Sequence, residues 1–101
     1  MENAHRVRKL LDLFARDRER IQAALPGRRG LSALSVHDVL KHRAMTTISL
    51  TAAKTGLSSP TVASAIEELQ KLGIVNELTA RQRNRQFLYV EYYKTLDQGA
   101  V

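Results

Sequence analysis

The sequence predicts a mainly helical α+β domain in which helices come first and a small antiparallel hairpin follows. Apolar residues recur at spacings near 3.6 residues in two stretches, residues 7–25 and 62–72, as they do in amphipathic helices. Strand-like runs appear mainly late in the chain, in VNELT at 75–79 and QFLYV at 86–90. At 101 residues the chain has room for one domain around one core.

A predicted amphipathic helix occupies most of residues 1–27 and connects to the unit that follows. Charged residues fill the positions between its apolar ones. Pro26 and Gly27 end this helix, because proline disfavours helical geometry in the preceding residue and glycine accepts left-handed dihedrals. Residues 28–30 are predicted to extend the loop. The predicted apolar face consists of Val7, Leu10, Leu11, Phe14, Ile21 and Leu25.

A second unit, residues 28–97, begins with three short predicted elements. Ser35 and Asp38 are spaced as in a capping box and predict a short helix that starts near Ser35. The β-branched residues of MTTISL, 45–50, favour a short strand. SLTAAKTG, residues 49–56, predicts another helix that stops at its glycine.

The longest predicted helix of this unit follows a three-residue turn at 56–58. Ser58 or Ser59 caps its N-terminus, and Pro60 suits its first turn. Gly73 ends it. Its apolar stripe consists of Val62, Ala65, Ile66, Leu69 and Leu72.

Two predicted strands and a short helix complete the unit. The strands are joined by a turn in ARQRNR, residues 80–85, and alternation places Phe87 and Tyr89 on one face of the second strand. A short helix then frays into a tail at 98–101. Three tyrosines are predicted to fill the core behind the hairpin: Tyr89, Tyr92 and Tyr93.

This order of elements is that of a winged helix-turn-helix with an extra N-terminal amphipathic helix. The glycine-bearing turn allows two helices to cross steeply and projects the second one outward, which is the geometry that enters a major groove of DNA. The arginine-rich hairpin occupies the place of the wing.

Residues 46–97 also resemble the C-terminal winged-helix region of many bacterial Fic (filamentation, AMP-transferring) proteins. That family pattern runs from GLS through a helix that ends in LGI to TGRxRNR and an aromatic strand. The matching positions here are Gly56, Leu57, Ser58, Thr61, Val62, Leu72, Gly73, Ile74, Thr79, Arg81, Arg83, Asn84, Arg85 and Tyr89. The resemblance implies a module that normally follows a Fic catalytic domain in a parent chain.

The sequence offers no catalytic, metal-binding or cofactor-binding constellation. The HPFxxGNGR motif of Fic catalysis is missing, so we expect no enzymatic activity from this chain. Zero cysteines exclude disulfides and thiolate ligands. His37 and His42 are five residues apart and do not share a helix face, so each is predicted to be a lone surface histidine. We expect no cofactor and no metal.

Charge favours nucleic acid as the partner. The net charge is +6, and three arginines alternate in the presumed wing. Hydroxyls at the start of the outward helix can contact backbone phosphate, although they discriminate bases poorly. The sequence therefore predicts a module that binds double-stranded DNA and regulates transcription. The predicted contact residues are Ser59, Thr61, Ser64, Lys71, Arg81, Arg83 and Arg85.

The same residues also fit other interpretations. Charges on an exposed hairpin keep it soluble and block edge-to-edge pairing of strands. Glu67 and Glu68 would repel phosphate. The long first helix suits a protein-interaction module, which would position a Fic catalytic domain or its target or would form a homodimer.

No apolar run is long enough to span a bilayer, and the polar N-terminus lacks a signal peptide. We expect a cytoplasmic protein with no membrane partner.

Overall fold

The computed structural model describes residues 2–79 and 84–98, and these form five helices and one antiparallel three-stranded sheet. The predicted α+β, mainly helical class is confirmed. None of the helices in these residues is long and apolar enough to cross a membrane. The helices are α1 (Glu2–Ala24), α2 (Arg28–His42), α3 (Ile48–Thr55), α4 (Ser59–Lys71) and α5 (Val90–Gln98), and the strands are β1 (Met45–Thr47), β2 (Val75–Glu77) and β3 (Gln86–Tyr89).

Strand β3 lies at the centre of the sheet, in the order β1-β3-β2. Met45 pairs with Leu88 on one side of β3, and Glu77 pairs with Phe87 on the other. Phe87 and Tyr89 are only 1% and 0% exposed, so the predicted inward face of this strand is confirmed. The sheet therefore covers one side of the helical core.

Helix α1 buries a face that is rotated from the one that its apolar residues predict. Leu13 and Ile21 are buried in the common core, and Asp17 is buried between them. Val7 and Leu11 were predicted on this face but are 55% and 62% exposed, because the buried stripe runs along a neighbouring side of the helix. The helix is thus part of the same core as the sheet.

Helix α2 begins earlier than predicted. The prediction of a loop over residues 28–30 is wrong, because Gly27 at φ 72° reverses the chain and Arg28 already starts the helix. The predicted cap at Ser35 is also wrong. Ser35 lies inside the helix, and its hydroxyl donates to the carbonyl of Leu31 at 3.1 Å. Gly30 is buried beside the Leu25 carbonyl, where a side chain would not fit.

The α3–turn–α4 segment forms as predicted. Gly56 ends α3 in the left-handed conformation at φ 76°. Ser58 caps α4, and its hydroxyl accepts the backbone N–H of Thr61 at 3.3 Å. Gly73, at φ 77°, follows α4 and leads the chain into β2.

Three buried polar side chains connect α1, α2 and β3. The Tyr89 hydroxyl donates to Asp17 Oδ2 at 2.7 Å, and its oxygen lies 3.0 Å from His37 Nε2. His37 is 1% exposed, so its prediction as a surface histidine is wrong. The single hydroxyl proton is directed at Asp17, and therefore His37 Nε2 must carry the proton that bonds to the tyrosine oxygen.

This arrangement fixes the charge states of the network. Burial, followed by the hydrogen bond to Asp17, raises the pKa of Tyr89, so its hydroxyl keeps its proton. Burial, together with the positive charge of Lys41, lowers the pKa of His37 to about 4. His37 Nδ1 is then an unprotonated acceptor, and it is buried without a hydrogen-bond partner among the described residues. Arg16 and Arg20 pair with Asp17 from the solvent side.

The other two tyrosines differ in burial. Tyr92 packs edge-on against Phe14, with ring centroids 5.2 Å apart. Tyr93 was predicted to fill the core, but it is 50% exposed because it follows Tyr92 on the outer side of α5. The tyrosine prediction is therefore correct for two of the three residues.

We predict that Gly30→Ala destabilises the domain by at least about 2 kcal/mol. Alanine usually improves a helix by about 1 kcal/mol over glycine. Here, however, a Cβ at this position would lie 2.0 Å from the Leu25 carbonyl oxygen. Urea unfolding measures the change in free energy, and a stabilised variant would contradict the packing described for this turn.

We predict that Tyr89→Phe lowers the free energy of unfolding by about 2–3 kcal/mol. The substitution removes the hydroxyl that bridges Asp17 and His37 and leaves two buried polar groups without it. Tyr93→Phe is the matched control, because its side chain is half exposed, and it should change stability by less than about 0.5 kcal/mol. Equal effects of the two variants in urea unfolding would contradict the network's role.

Stability should also depend on pH through His37. Its pKa is lower in the folded chain, about 4, than in the unfolded chain, 6.5, so the unfolded state binds more protons between these values. The contribution of His37 to the free energy of unfolding is therefore fully present above pH 6.5, and the free energy of unfolding falls by about 3 kcal/mol as the pH drops toward 4. In urea titrations His37→Gln should have a lower free energy of unfolding than the unmodified chain at pH 7. Its free energy of unfolding should also change less with pH above pH 4.5, where Glu68 and Glu77 stay ionised. An unchanged profile would exclude His37 as the source.

Candidate nucleic-acid interface

Helix α4 buries one face and leaves the other to solvent. Its predicted apolar stripe is confirmed, since Val62, Ile66 and Leu69 are at most 1% exposed. Ser59 and Ser64, both predicted to contact DNA, are exposed. The predicted contact residue Thr61 is half-buried at the edge of this face.

Hydroxyl groups cluster at the first turns of α4. The Ser58 hydroxyl is used by the cap and also donates to Thr61 Oγ1 at 2.8 Å. Within the described residues, Ser59 and Ser64 make no side-chain hydrogen bond, and Thr61 Oγ1 donates none. Three donors are therefore available to an external acceptor such as a phosphate oxygen.

A groove of about 410 Å³ lies between the first turns of α2 and α4. Arg28 and Arg29 stand on its α2 side together with Ser32, while Thr61 and Ser64 stand on the α4 side. No acidic residue occupies the first turn of α2, and Gly27 provides no side-chain cap, so the positive end of the helix dipole adds to the arginine charges. The groove is positively charged at one end and rich in hydroxyls at the other.

Arg28 and Arg29 were predicted to lie in a loop, and their interpretation as loop charges was favoured over an additional phosphate contact. The structure places them on the first turn of a helix instead, beside the predicted contact residues. The signal in the sequence was a glycine followed directly by two arginines, which is typical of a turn as well as of a helix start. Only the packing of α2 on α4 brings these arginines to the site.

Glu68 lies at the bottom of this groove and holds two of the cations. It forms an ion pair with Arg29, and the predicted contact residue Lys71 lies 3.5 Å from the same carboxylate oxygen. The hydrogen bond from Arg29 lowers the pKa of Glu68, so the carboxylate stays ionised. Arg28, in contrast, forms no ion pair with the described residues.

Arg85 faces α4 but is held by an acid. Its Nε and Nη2 atoms donate to the two carboxylate oxygens of Glu77 at 2.9 and 2.8 Å. Its guanidinium carbon lies 5.2 Å from the Phe87 ring centre, on the inner face of the sheet. The pair raises the pKa of Arg85 and lowers that of Glu77, and the charge of Glu67 on α4 also raises the pKa of Arg85.

The structure therefore brings the predicted site residues together only in part. Ser59, Thr61 and Ser64 share the start of α4, whereas Lys71 lies at its end beside Glu68. The predicted contacts Arg81 and Arg83 lie outside the described residues. Among the residues that are described, no group of three or more metal-ligating side chains is close enough to hold a metal ion.

Comparison with protein-family models, curated proteins and solved structures finds no match to this chain.

Proposed function

We propose that the chain is a non-catalytic winged helix-turn-helix module that binds double-stranded DNA in the cytoplasm and serves a regulatory role. The order α2-β1-α3-α4-β2-β3 supports this proposal, as does the tight turn at Gly56 between α3 and α4. In this proposal α4 is the recognition helix, and the segment between β2 and β3 is the wing. The absence of cysteine is compatible with a reducing compartment.

The observation that carries the proposal is the groove between α2 and α4. It combines Arg28 and Arg29 with the hydroxyls of Thr61 and Ser64 on one surface, in a chain whose net charge is +6. Arginines and hydroxyls at helix N-termini are typical phosphate contacts. The start of α4 would dock on one DNA strand while the arginines of α2 neutralise neighbouring phosphates.

Such contacts would bind DNA with little preference for sequence. The exposed positions along α4 carry Ser, Pro, Lys and Glu, and none presents the bidentate Arg, Asn or Gln pairing that reads base edges in the major groove. Affinity would come chiefly from phosphate neutralisation, and it would therefore fall with salt.

The proposal extends to a parent protein. Residues 56–89 carry the motif positions that resemble the C-terminal region of Fic proteins. We propose that the module serves a Fic-like protein whose catalytic domain lies in the same parent chain. The chain itself lacks the catalytic motif, so we assign it no nucleotidyl transfer.

Exposed apolar residues favour a second candidate, a protein-interaction or dimerisation module. Val7 and Leu11 are more than half exposed on one side of α1. Met45, Leu78 and Tyr93 line a further groove on the outer face of the sheet. Such a module would position a Fic catalytic domain or its target, or would pair with a second copy. Sedimentation of Leu11→Ser separates the two candidates, because only dimerisation would be lost in this variant.

We predict that Arg28→Glu weakens binding to a short random-sequence DNA duplex roughly tenfold at low salt. It should also reduce the slope of log affinity against log salt by about 0.9, because one phosphate contact is lost. Fluorescence anisotropy between 50 and 200 mM salt measures both quantities. Arg18→Glu is the matched control, since Arg18 is exposed on α1 and does not line the groove.

The control separates site from net charge. Both variants change the net charge equally, so an equal loss in Arg18→Glu would indicate non-specific attraction and contradict the groove as the docking site. No binding of the unmodified chain to the duplex under any salt condition would contradict the proposed function and favour the protein-interaction candidate.

A further inference from the structure

On the proposed DNA-facing surface, three cations lie next to acidic side chains. Arg29 and Lys71 stand beside Glu68, and Arg85 stands beside Glu77. Each of these cations is one that the proposed complex would use to neutralise phosphate. In the free protein two carboxylates therefore offset much of the positive charge of these three cations.

Glu68 is well placed to act on both of its cations. Its side chain is 18% exposed, while those of Arg29 and Lys71 are 69% and 67% exposed. The carboxylate is thus held in the groove by its position on α4, and the long basic side chains reach it from solvent. Because these side chains are flexible and exposed, they can exchange the carboxylate for another anion with little change to the core.

Glu77 holds Arg85 more firmly. The two parallel hydrogen bonds form the fork geometry that an arginine also uses with phosphate, and the Phe87 ring supports the guanidinium from below. The carboxylate of Glu77 thus presents two oxygens where a phosphate group would present its own. Glu67 adds further negative charge from α4.

We propose that Glu68 and Glu77 are internal counter-anions that occupy the phosphate-binding positions of Arg29, Lys71 and Arg85 until duplex DNA displaces them. The inference rests on the proposed DNA-binding function and concerns how that same surface is regulated. In the free protein the carboxylates take the place of phosphate oxygens, and binding exchanges one anion for another.

This exchange has two physical consequences. A cation that is already paired with a carboxylate adds little to the net release of condensed counterions when DNA binds. The affinity for DNA therefore depends less steeply on salt than the number of basic residues suggests. The displaced carboxylates also remain close to the DNA and repel it, so the affinity is low. Both effects would restrict binding to ligands with a high density of phosphate, and both depend on the negative charge of two identified side chains.

The test compares Glu68→Gln and Glu77→Gln with the unmodified chain, using a short random-sequence DNA duplex and fluorescence anisotropy at 50 to 200 mM salt. Glutamine keeps the size of the side chain and an acceptor oxygen but removes the charge. Glu91→Gln is the matched control, because Glu91 pairs with Lys94 on α5, away from α4, and its loss changes the net charge equally.

Each of the two variants should bind the duplex roughly tenfold more tightly at low salt. The slope of log affinity against log salt should steepen by about 0.9 for Glu77→Gln and by up to about 1.8 for Glu68→Gln, which frees two cations. Glu91→Gln should remain within about twofold of the unmodified chain.

Two results would overturn it. If the unmodified chain binds the duplex and Glu68→Gln and Glu77→Gln bind no more tightly than Glu91→Gln, the carboxylates are not counter-anions, and the proposed function stands without them. If no variant binds the duplex at any salt concentration, both the inference and the proposed function are wrong. Circular dichroism of each variant verifies that the fold is retained.

Discussion

The hydrogen bonds among Asp17, Tyr89 and His37 are the constraint on which the rest of the structure depends. They join α1, β3 and α2, whose residues are 72 and 52 positions apart in the sequence. Each group is buried, so none can be left without a partner except at a cost of about 1–3 kcal/mol. Because the tyrosine hydroxyl donates to the carboxylate and accepts from the imidazole, the network holds the three elements together in this arrangement.

This network makes α1 part of the domain rather than a simple connector. Arg20 pairs with Asp17 and also donates to the carbonyl of Leu72 at the end of α4, so α1 is bonded to α4 as well as to β3. With α1 and β3 fixed, α2 is held against α4, and its first turn stands beside the hydroxyls of the α4 N-terminus. The candidate interface is therefore a consequence of buried contacts made elsewhere in the molecule.

Local signals predicted the elements whose ends are set by local chemistry. The cap at Ser58, the left-handed glycine at Gly56 and the alternation in β3 all involve residues within a few positions of one another. Local signals did not predict features that depend on contacts between residues far apart in the sequence. His37 is buried because Tyr89, 52 positions later in the sequence, offers it a partner.

In the candidate site, too, local features were predicted from the sequence and long-range contacts were not. The sequence located the hydroxyls of α4, but the pairing of Arg85 with Glu77 depends on strand register across a segment that periodicity does not resolve. Charge counts treat Arg85 and Lys71 as free cations, whereas each lies near a carboxylate. Net charge therefore does not show which basic side chains are available to bind a partner.

The most direct test of this arrangement is a two-dimensional NMR titration of the isotope-labelled chain with a short DNA duplex. We expect backbone amide shifts to change at residues 27–32 and 58–64, the first turns of α2 and α4, while the amides around Asp17 and Tyr89 keep their positions. Changes centred instead on α1 near Leu11 and on α5, or no changes at all, would contradict it.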